Sequence, residues 1–163
     1  MKFRAMRVLF ALFGASLALV SFSASVAASD ERMPARGGLH DDPTTFQVLA
    51  QYVDEGNTIQ VAQVNGRIDG TFSGPYVERA RSVTHPSGAA DIKGTATCEC
   101  TVGGRSGTVV FGFKAKAAPD GSLTGRFWID SATGGLRGLK TRATFQSSDG
   151  INGTYSGWVA LDD

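Results

Sequence analysis

The chain has 163 residues, of which 42% are apolar, 9% aromatic and 19% charged, and it contains 21 Gly and 5 Pro. This length and composition fit one globular domain and exclude a disordered, collagen-like or coiled-coil protein. Sixteen basic residues stand against fifteen acidic ones, so the chain lacks the excess of positive charge that nucleic-acid and anionic-membrane binders use. This balance disfavours polyanion binding and predicts no nucleic-acid partner.

The first 28 residues have the layout of a signal peptide. Three basic residues within the first seven positions precede an uncharged apolar stretch over 8–24, and small residues follow at 25–28. We predict cleavage after Ala27 or Ala28, and hence a secreted, periplasmic or cell-envelope protein with no stable membrane insertion after cleavage. The alternative is an uncleaved anchor, because the stretch is long enough to cross a bilayer.

Polar residues follow the predicted cleavage region. The segment 29–44 holds two Pro and two Gly and shows no periodicity, so a flexible tether is predicted there. The folded domain is then expected over 45–163.

The rest of the chain shows two-residue alternation of apolar and polar residues, with almost no helical spacing. The segment 108–116 shows it best, since Val109, Phe111, Phe113 and Ala115 share one face of a strand. The same alternation recurs over 123–130 and 139–146. This pattern predicts an all-β domain with one face of each strand turned inward.

About eight or nine strands are predicted, separated by short turn signals such as Asn65-Gly66 and Gly103-Gly104. Connections this short join antiparallel neighbours and exclude parallel crossovers. Closure into a barrel removes exposed strand edges, so we predict an antiparallel up-and-down barrel of about eight strands. A β-sandwich is the alternative, because periodicity does not separate the two. The predicted strands lie near 45–53, 58–64, 66–73, 76–83, 91–102, 107–117, 122–130, 139–147 and 153–161.

The two cysteines, Cys98 and Cys100, share the inner face of one predicted strand. Residues two apart in a strand have Cα atoms roughly 6.5–7 Å apart, at the edge of what a disulfide allows, so a bulge would be needed to close the bond. Two buried thiols or a strained local disulfide are favoured over a metal site. His40, in the tether, and His85, in a turn, leave too few ligands for zinc, and we predict no metal and no cofactor.

The sequence contains no Gly-x-Ser-x-Gly elbow and no phosphate loop, and no catalytic residue is assigned. Glu78 lies between Tyr76 and two arginines, and near a barrel mouth it could orient a ligand, but an ordinary surface ion pair is the favoured interpretation. The inward phenylalanines either fill the core or line a pocket. The candidate ligand-binding residues are Glu78, Cys98, Cys100, Phe111, Phe113 and Phe127.

Three glycine-rich stretches carry a resemblance to a known family. They read GGRSGTVVF at 103–111, GRFWI at 125–129 and SATGGLRGL at 131–139. They resemble a bacterial family of unknown function with the allene oxide cyclase barrel-like fold, whose distant relatives are plant allene oxide cyclases and dirigent proteins. The resemblance covers about 66–158 and implies an eight-stranded antiparallel barrel. For the plant relatives it implies trimers and apolar substrates inside the barrel.

Three functions compete for such a chain. The first is an exported, non-enzymatic barrel that binds a small, largely apolar molecule, and it is favoured because no catalytic constellation is present. The second is an isomerase or cyclase that acts by confining its substrate, with help from Glu78. The third is a structural or interaction module of the cell envelope. A small apolar molecule is the expected partner, and a homo-oligomer is the other partner considered.

Overall fold

A computed structural model describes residues 31–161 as one closed barrel of eight antiparallel strands in chain order. Each strand pairs with the next, and β1 pairs with β8 to close the ring. A short 3-10 helix, Gly134–Leu136, lies between β6 and β7. The strands are β1 (Met33–Asp54), β2 (Asn57–Ile68), β3 (Gly74–Thr84), β4 (Ala90–Val102), β5 (Arg105–Ala117), β6 (Leu123–Ala132), β7 (Lys140–Ser147) and β8 (Asn152–Ala160).

The predicted all-β barrel is confirmed, and the predicted inner faces are the buried ones. On β5, Val109, Phe111, Phe113 and Ala115 are each at most 8% exposed, while Lys114 between them is exposed. The predicted signal peptide over 1–28 lies outside the described residues. Within residues 31–161, no helix is long and apolar enough to cross a bilayer.

The predicted tether is wrong over 33–44, because these residues belong to β1. The glycines that suggested flexibility allow a close approach instead. A Cβ atom on Gly37 would lie 1.8 Å from the backbone oxygen of Asp69, and the Gly38 N–H donates to Asp69 Oδ1 at 2.9 Å. The folded domain therefore begins before Thr45, and His40 lies within a strand.

The predicted turn at Asn65-Gly66 is also wrong, since both residues continue β2 and pair with β3. Gly66 has no side chain because the Tyr76 ring occupies that space: a Cβ there would lie 2.3 Å from Tyr76 Cζ. The chain turns instead at 69–73, where Gly70 has a φ of 91°. In contrast, the Gly103-Gly104 turn between β4 and β5 is as predicted, with φ values of 57° and 80°.

Cys98 and Cys100 form a disulfide, with Cα atoms 5.3 Å apart. Both side chains point inward and are at most 1% exposed. The expected bulge is absent from this part of the structure, because β4 pairs with β5 in one continuous register from Ala90 to Val102. A local contraction of β4 is therefore sufficient to close the bond.

We expect the Cys98–Cys100 bond to stabilise the fold only modestly. It closes a loop with a single residue between the cysteines, and such a short loop removes little entropy from the unfolded chain. Reduction should lower the free energy of unfolding by about 1–2 kcal/mol, as measured by urea denaturation with and without a reductant. A double Cys98→Ala, Cys100→Ala variant should not respond to the reductant. Complete unfolding on reduction would contradict this expectation.

Candidate functional site

The barrel is hollow at one of its two ends. The turns at 55–56, 85–89, 118–122 and 148–151 all lie at this end, since each follows an odd-numbered strand of an up-and-down barrel. A cavity of about 530 Å³ opens there, within the usual size range of small-molecule sites. Its wall is mostly apolar and includes Ala62, Val64, Ile68, Ile92, Phe111, Phe113, Phe127 and Phe145.

The opposite end is filled by side chains from two connections. Phe72, from the segment between β2 and β3, and Leu136, from the 3-10 helix, are both fully buried. The Phe72 ring lies edge-on to Phe111, with centroids 5.2 Å apart, and 6.3 Å from the Phe127 ring. Since Phe111 and Phe127 also line the cavity, they form its floor above this plug.

Glu78 lines the cavity from β3 and is partly buried. Within residues 31–161 its carboxyl group makes no ion pair, and the neighbouring Arg79 and Arg81 lie on the outer face of the strand. The surface ion pair considered from the sequence is therefore absent from the described structure. Burial raises the pKa of Glu78 to about 8, and the negative charge of Asp41 adds to this effect. At neutral pH the group is mostly a neutral carboxylic acid, which can donate a hydrogen bond.

Asp41 and Tyr76 form the second polar element of the wall. The Tyr76 hydroxyl donates to Asp41 Oδ1 at 2.5 Å. Burial raises the pKa of Asp41, although the hydrogen bond from Tyr76 opposes this shift. Burial and the Asp41 charge also raise the pKa of Tyr76, which keeps its proton. We call Asp41, Tyr76 and Glu78 the polar corner of the cavity.

The ionisable side chains that line the cavity, among the described residues, are acidic or phenolic. The described residues that line it include two carboxyl groups but no Lys, Arg or His side chain. Gln60, Gln63 and Ser82 are the remaining polar side chains of the lining. A ligand in this cavity would meet an apolar wall and a polar corner that attracts cations and hydrogen-bond donors and repels anions.

The structure brings four of the six candidate ligand-binding residues together. Glu78, Phe111, Phe113 and Phe127 line the cavity. Cys98 and Cys100 do not, because β4 carries them toward the filled end. The barrel interior is thus hollow at one end and filled by side chains at the other.

Sequence reasoning missed Asp41, Tyr76 and Phe46. Asp41 was hidden by the assignment of 29–44 to a tether. Phe46 was in the predicted strand 45–53, but β1 pairs irregularly with β2 between Asp42 and Gln47, so alternation did not place it. Tyr76 has the same parity as Glu78, so strand alternation could have placed it on the inner face. In the described part of the chain, no group of three or more His, Cys, Asp or Glu side chains is arranged to hold a metal ion.

Comparison with known proteins connects this barrel to a family. A family profile described as "Protein of unknown function (DUF3224)" matches residues 44–156, which is more than half of the chain. The chain belongs to the DUF3224 family. None of the curated proteins matches it.

A crystal structure of another DUF3224 protein, of unknown function and from Shewanella oneidensis MR-1, has a similar fold. Its TM-score to this DUF3224 protein is 0.66 at 14% sequence identity, and the match covers 82% of this chain and 99% of the other. At this identity the likeness shows the fold alone. The relationship to allene oxide cyclases stays a prediction.

Proposed function

We propose that this DUF3224 protein binds a small, largely apolar molecule inside the barrel. The supporting observation is the cavity of about 530 Å³, which is enclosed by aliphatic side chains and phenylalanine rings above a solidly packed plug. A barrel of eight strands has room for either core side chains or one small ligand. Here the plug supplies the packed core, so the hollow end is free for a ligand.

The polar corner indicates what kind of polar group the ligand carries. Asp41 has no basic partner among the described lining residues, so a carboxylate ligand such as a fatty acid anion would meet its negative charge in a medium of low dielectric constant. A hydroxyl, amide or ammonium group would instead donate to the Asp41 carboxylate or to the carbonyl oxygen of the protonated Glu78. The proposed ligand is therefore apolar over most of its surface, with one hydrogen-bond donor at the end near Glu78.

A pair of variants on β3 tests binding in the cavity. Ala80 lines the cavity, whereas Val77 is 44% exposed on the outer face of the same strand. We expect Ala80→Phe to weaken binding of the neutral dye N-phenyl-1-naphthylamine at least about tenfold by filling the space, and Val77→Phe to leave it unchanged. Saturable dye fluorescence, with thermal unfolding as the check on folding, measures both.

Displacement of the dye distinguishes the outcomes. Decanol and decylamine should compete more strongly than decanoate at pH 7.5, because only decanoate brings a second negative charge to the polar corner. Absence of saturable dye binding to the unmodified protein, or equal binding by the two β3 variants, would contradict the proposal. Preferred binding of decanoate would contradict the assignment of the polar end.

A second candidate function is isomerisation or cyclisation of a confined substrate, as the predicted kinship with allene oxide cyclases implies. The position of Glu78 favours it, because a carboxyl group with a pKa near 8 in an apolar cavity is suited to general acid catalysis near neutral pH. Such an activity would return a bound molecule with the same mass but a different chromatographic retention. A ligand recovered unchanged would favour simple binding. Export, residence in the cell envelope and assembly into a homo-oligomer stay predictions.

A further inference from the structure

The outer surface of the barrel carries a line of positive charge that is independent of the cavity. Arg81 on β3 lies directly opposite Lys93 on β4, Lys93 opposite Lys114 on β5, and Lys114 opposite Arg126 on β6. We call these four residues the basic row. It crosses four neighbouring strands at one level of the barrel.

The basic row lowers the stability of the free protein. Like charges directly opposite each other on neighbouring strands destabilise a sheet, and this row contains three such pairs in succession. Within residues 31–161 none of its four members makes an ion pair. Asp91 pairs with Lys116 and His85. Asp130 accepts a hydrogen bond from Trp128 and lines the same groove as Arg81, Lys93 and Lys114, but it forms no ion pair with them. Four basic side chains thus stand beside one nearby carboxylate, so most of the positive charge of the row is not balanced within the described chain.

The near balance of charge over the whole sequence conceals this arrangement. The net charge near zero is a sum over the whole sequence, so it does not describe the four neighbouring positions of the basic row. A composition argument excludes a uniformly basic protein, but it does not exclude a local basic row.

The spacing of the row fits an extended polymer better than a small anion. Neighbouring strands are about 4.8 Å apart, so the four Cα positions of the row span about 15 Å along the curved wall of the barrel. A single phosphate or sulfate would need charges that converge on one point. A polymer with one carboxylate on each sugar unit instead presents many charges along an extended chain, which the long side chains of the row can reach in turn.

An aromatic side chain beside the row provides a second recognition element. The Trp128 indole lies over Gly112 on β5, because a Cβ atom there would be 2.7 Å from Trp128 Cε2. Trp128 remains partly exposed. A shallow groove of about 440 Å³ connects it with four basic residues and one acidic residue, Arg79, Arg81, Lys93, Lys114 and Asp130, so its lining is basic on balance. The apolar C–H face of a sugar ring packs well on an exposed aromatic ring.

We propose that this face of the barrel binds a linear acidic polysaccharide, with its carboxylates paired to the basic row and one sugar ring packed against Trp128. This second site is separate from the cavity and does not depend on the ligand proposed there. It would give the protein an attachment surface for an anionic glycan.

The experiment measures binding of polygalacturonate to the protein at 50 mM and 200 mM salt, with neutral dextran and single-stranded poly(dT) as comparison polymers. Polygalacturonate should bind, more weakly at the higher salt because the contacts are ionic, and dextran should not. We expect Lys93→Glu to weaken binding at least about fivefold. Arg137→Glu, which makes the same change of net charge in the connection between β6 and β7, should leave binding unchanged.

A second readout separates this proposal from a general effect of charge. Lys93→Glu places a carboxylate opposite both Arg81 and Lys114, so it should raise the thermal unfolding temperature of the free protein while it weakens binding. Trp128→Ala should weaken polygalacturonate binding as well. Any one of three results overturns the proposal. They are no binding of polygalacturonate at 50 mM salt, equal losses of binding for Lys93→Glu and Arg137→Glu, and tighter binding of poly(dT) than of polygalacturonate, which would indicate a nucleic-acid surface.

Discussion

Raising the pH from about 4.5 to about 8 should lower the free energy of unfolding by on the order of 4 kcal/mol through Glu78 alone. Burial raises the pKa of this carboxyl from its ordinary value of 4.5 to about 8. Over this range the unfolded chain has already released the proton, while the folded protein still holds it. Stability is therefore complete below pH 4.5, falls as the pH rises through the window, and levels off above about 8.

Other titratable groups also change the free energy of unfolding in or near this pH range, and their contributions must be distinguished from that of Glu78. The raised pKa of Asp41 contributes a loss with the same sign. Hydrogen bonds to Asn152 and Asp69 raise the pKa of His40, so its contribution also disappears as the pH rises. The lowered pKa of Asp69 acts at more acidic pH, because its contribution is lost only as the pH falls below 3.8.

The Glu78→Gln variant isolates the effect. Glutamine has nearly the same shape but does not titrate, so the variant should retain only the shallow pH dependence of the other groups and become more stable than the unmodified protein at pH 8. Urea denaturation at pH 4.5, 6, 7 and 8 measures both proteins. If the two curves fall in parallel between pH 4.5 and 8, the carboxyl of Glu78 is not buried as described.

Phe72→Ala should destabilise the barrel by about 3–5 kcal/mol. Phe72 has no exposed surface, and its ring contacts Phe111, Phe127 and Tyr155, with centroids 5.2–6.3 Å apart. Its backbone N–H donates to the Tyr155 hydroxyl at 3.1 Å, which in turn donates to the backbone oxygen of Asp69 at 2.9 Å. Removal of the ring would leave a void at the centre of the plug that these fixed groups could not close.

Phe46→Ala provides the matched control for this substitution. Phe46 lines the cavity and is 52% exposed, so its removal should cost less than about 1 kcal/mol. Chemical denaturation of the two variants and the unmodified protein measures the difference. Similar losses for both would mean that the plug is not the main packed core.

Strand alternation was sufficient to predict the all-β class and the inner faces of β5, β6 and β7, because an alternating sequence can bury only one side of a strand. The sequence interpretation was wrong at glycines that allow a close contact and do not mark a turn or a flexible segment. Gly37 and Gly38 suggested a flexible segment, but they lie in a strand against Asp69, a partner 31 residues or more away in sequence. Gly66 suggested a turn, but it makes room for Tyr76. Such long-range contacts leave no local signature.

The candidate site could be predicted in part for the same reason. Glu78 and the three phenylalanines lie on regular strands, so their parity identified them. The plug could not be predicted. Phe72 lies in a connection whose alternating sequence is typical of a strand, and Leu136 lies in a short helical turn. Without the plug, the sequence did not reveal which end is hollow, or that Cys98 and Cys100 lie away from the cavity.

The separation of the barrel into a plugged end and a hollow end has a consequence for how the family can diverge. Apart from the floor residues Phe111 and Phe127, the plug and the cavity wall are separate: Phe72 and Leu136 do not line the cavity, and Phe46 and Ala80 do not belong to the plug. Substitutions near the mouth can therefore alter selectivity at little cost in thermodynamic stability. We expect homologous barrels with the same plug to bind chemically different ligands.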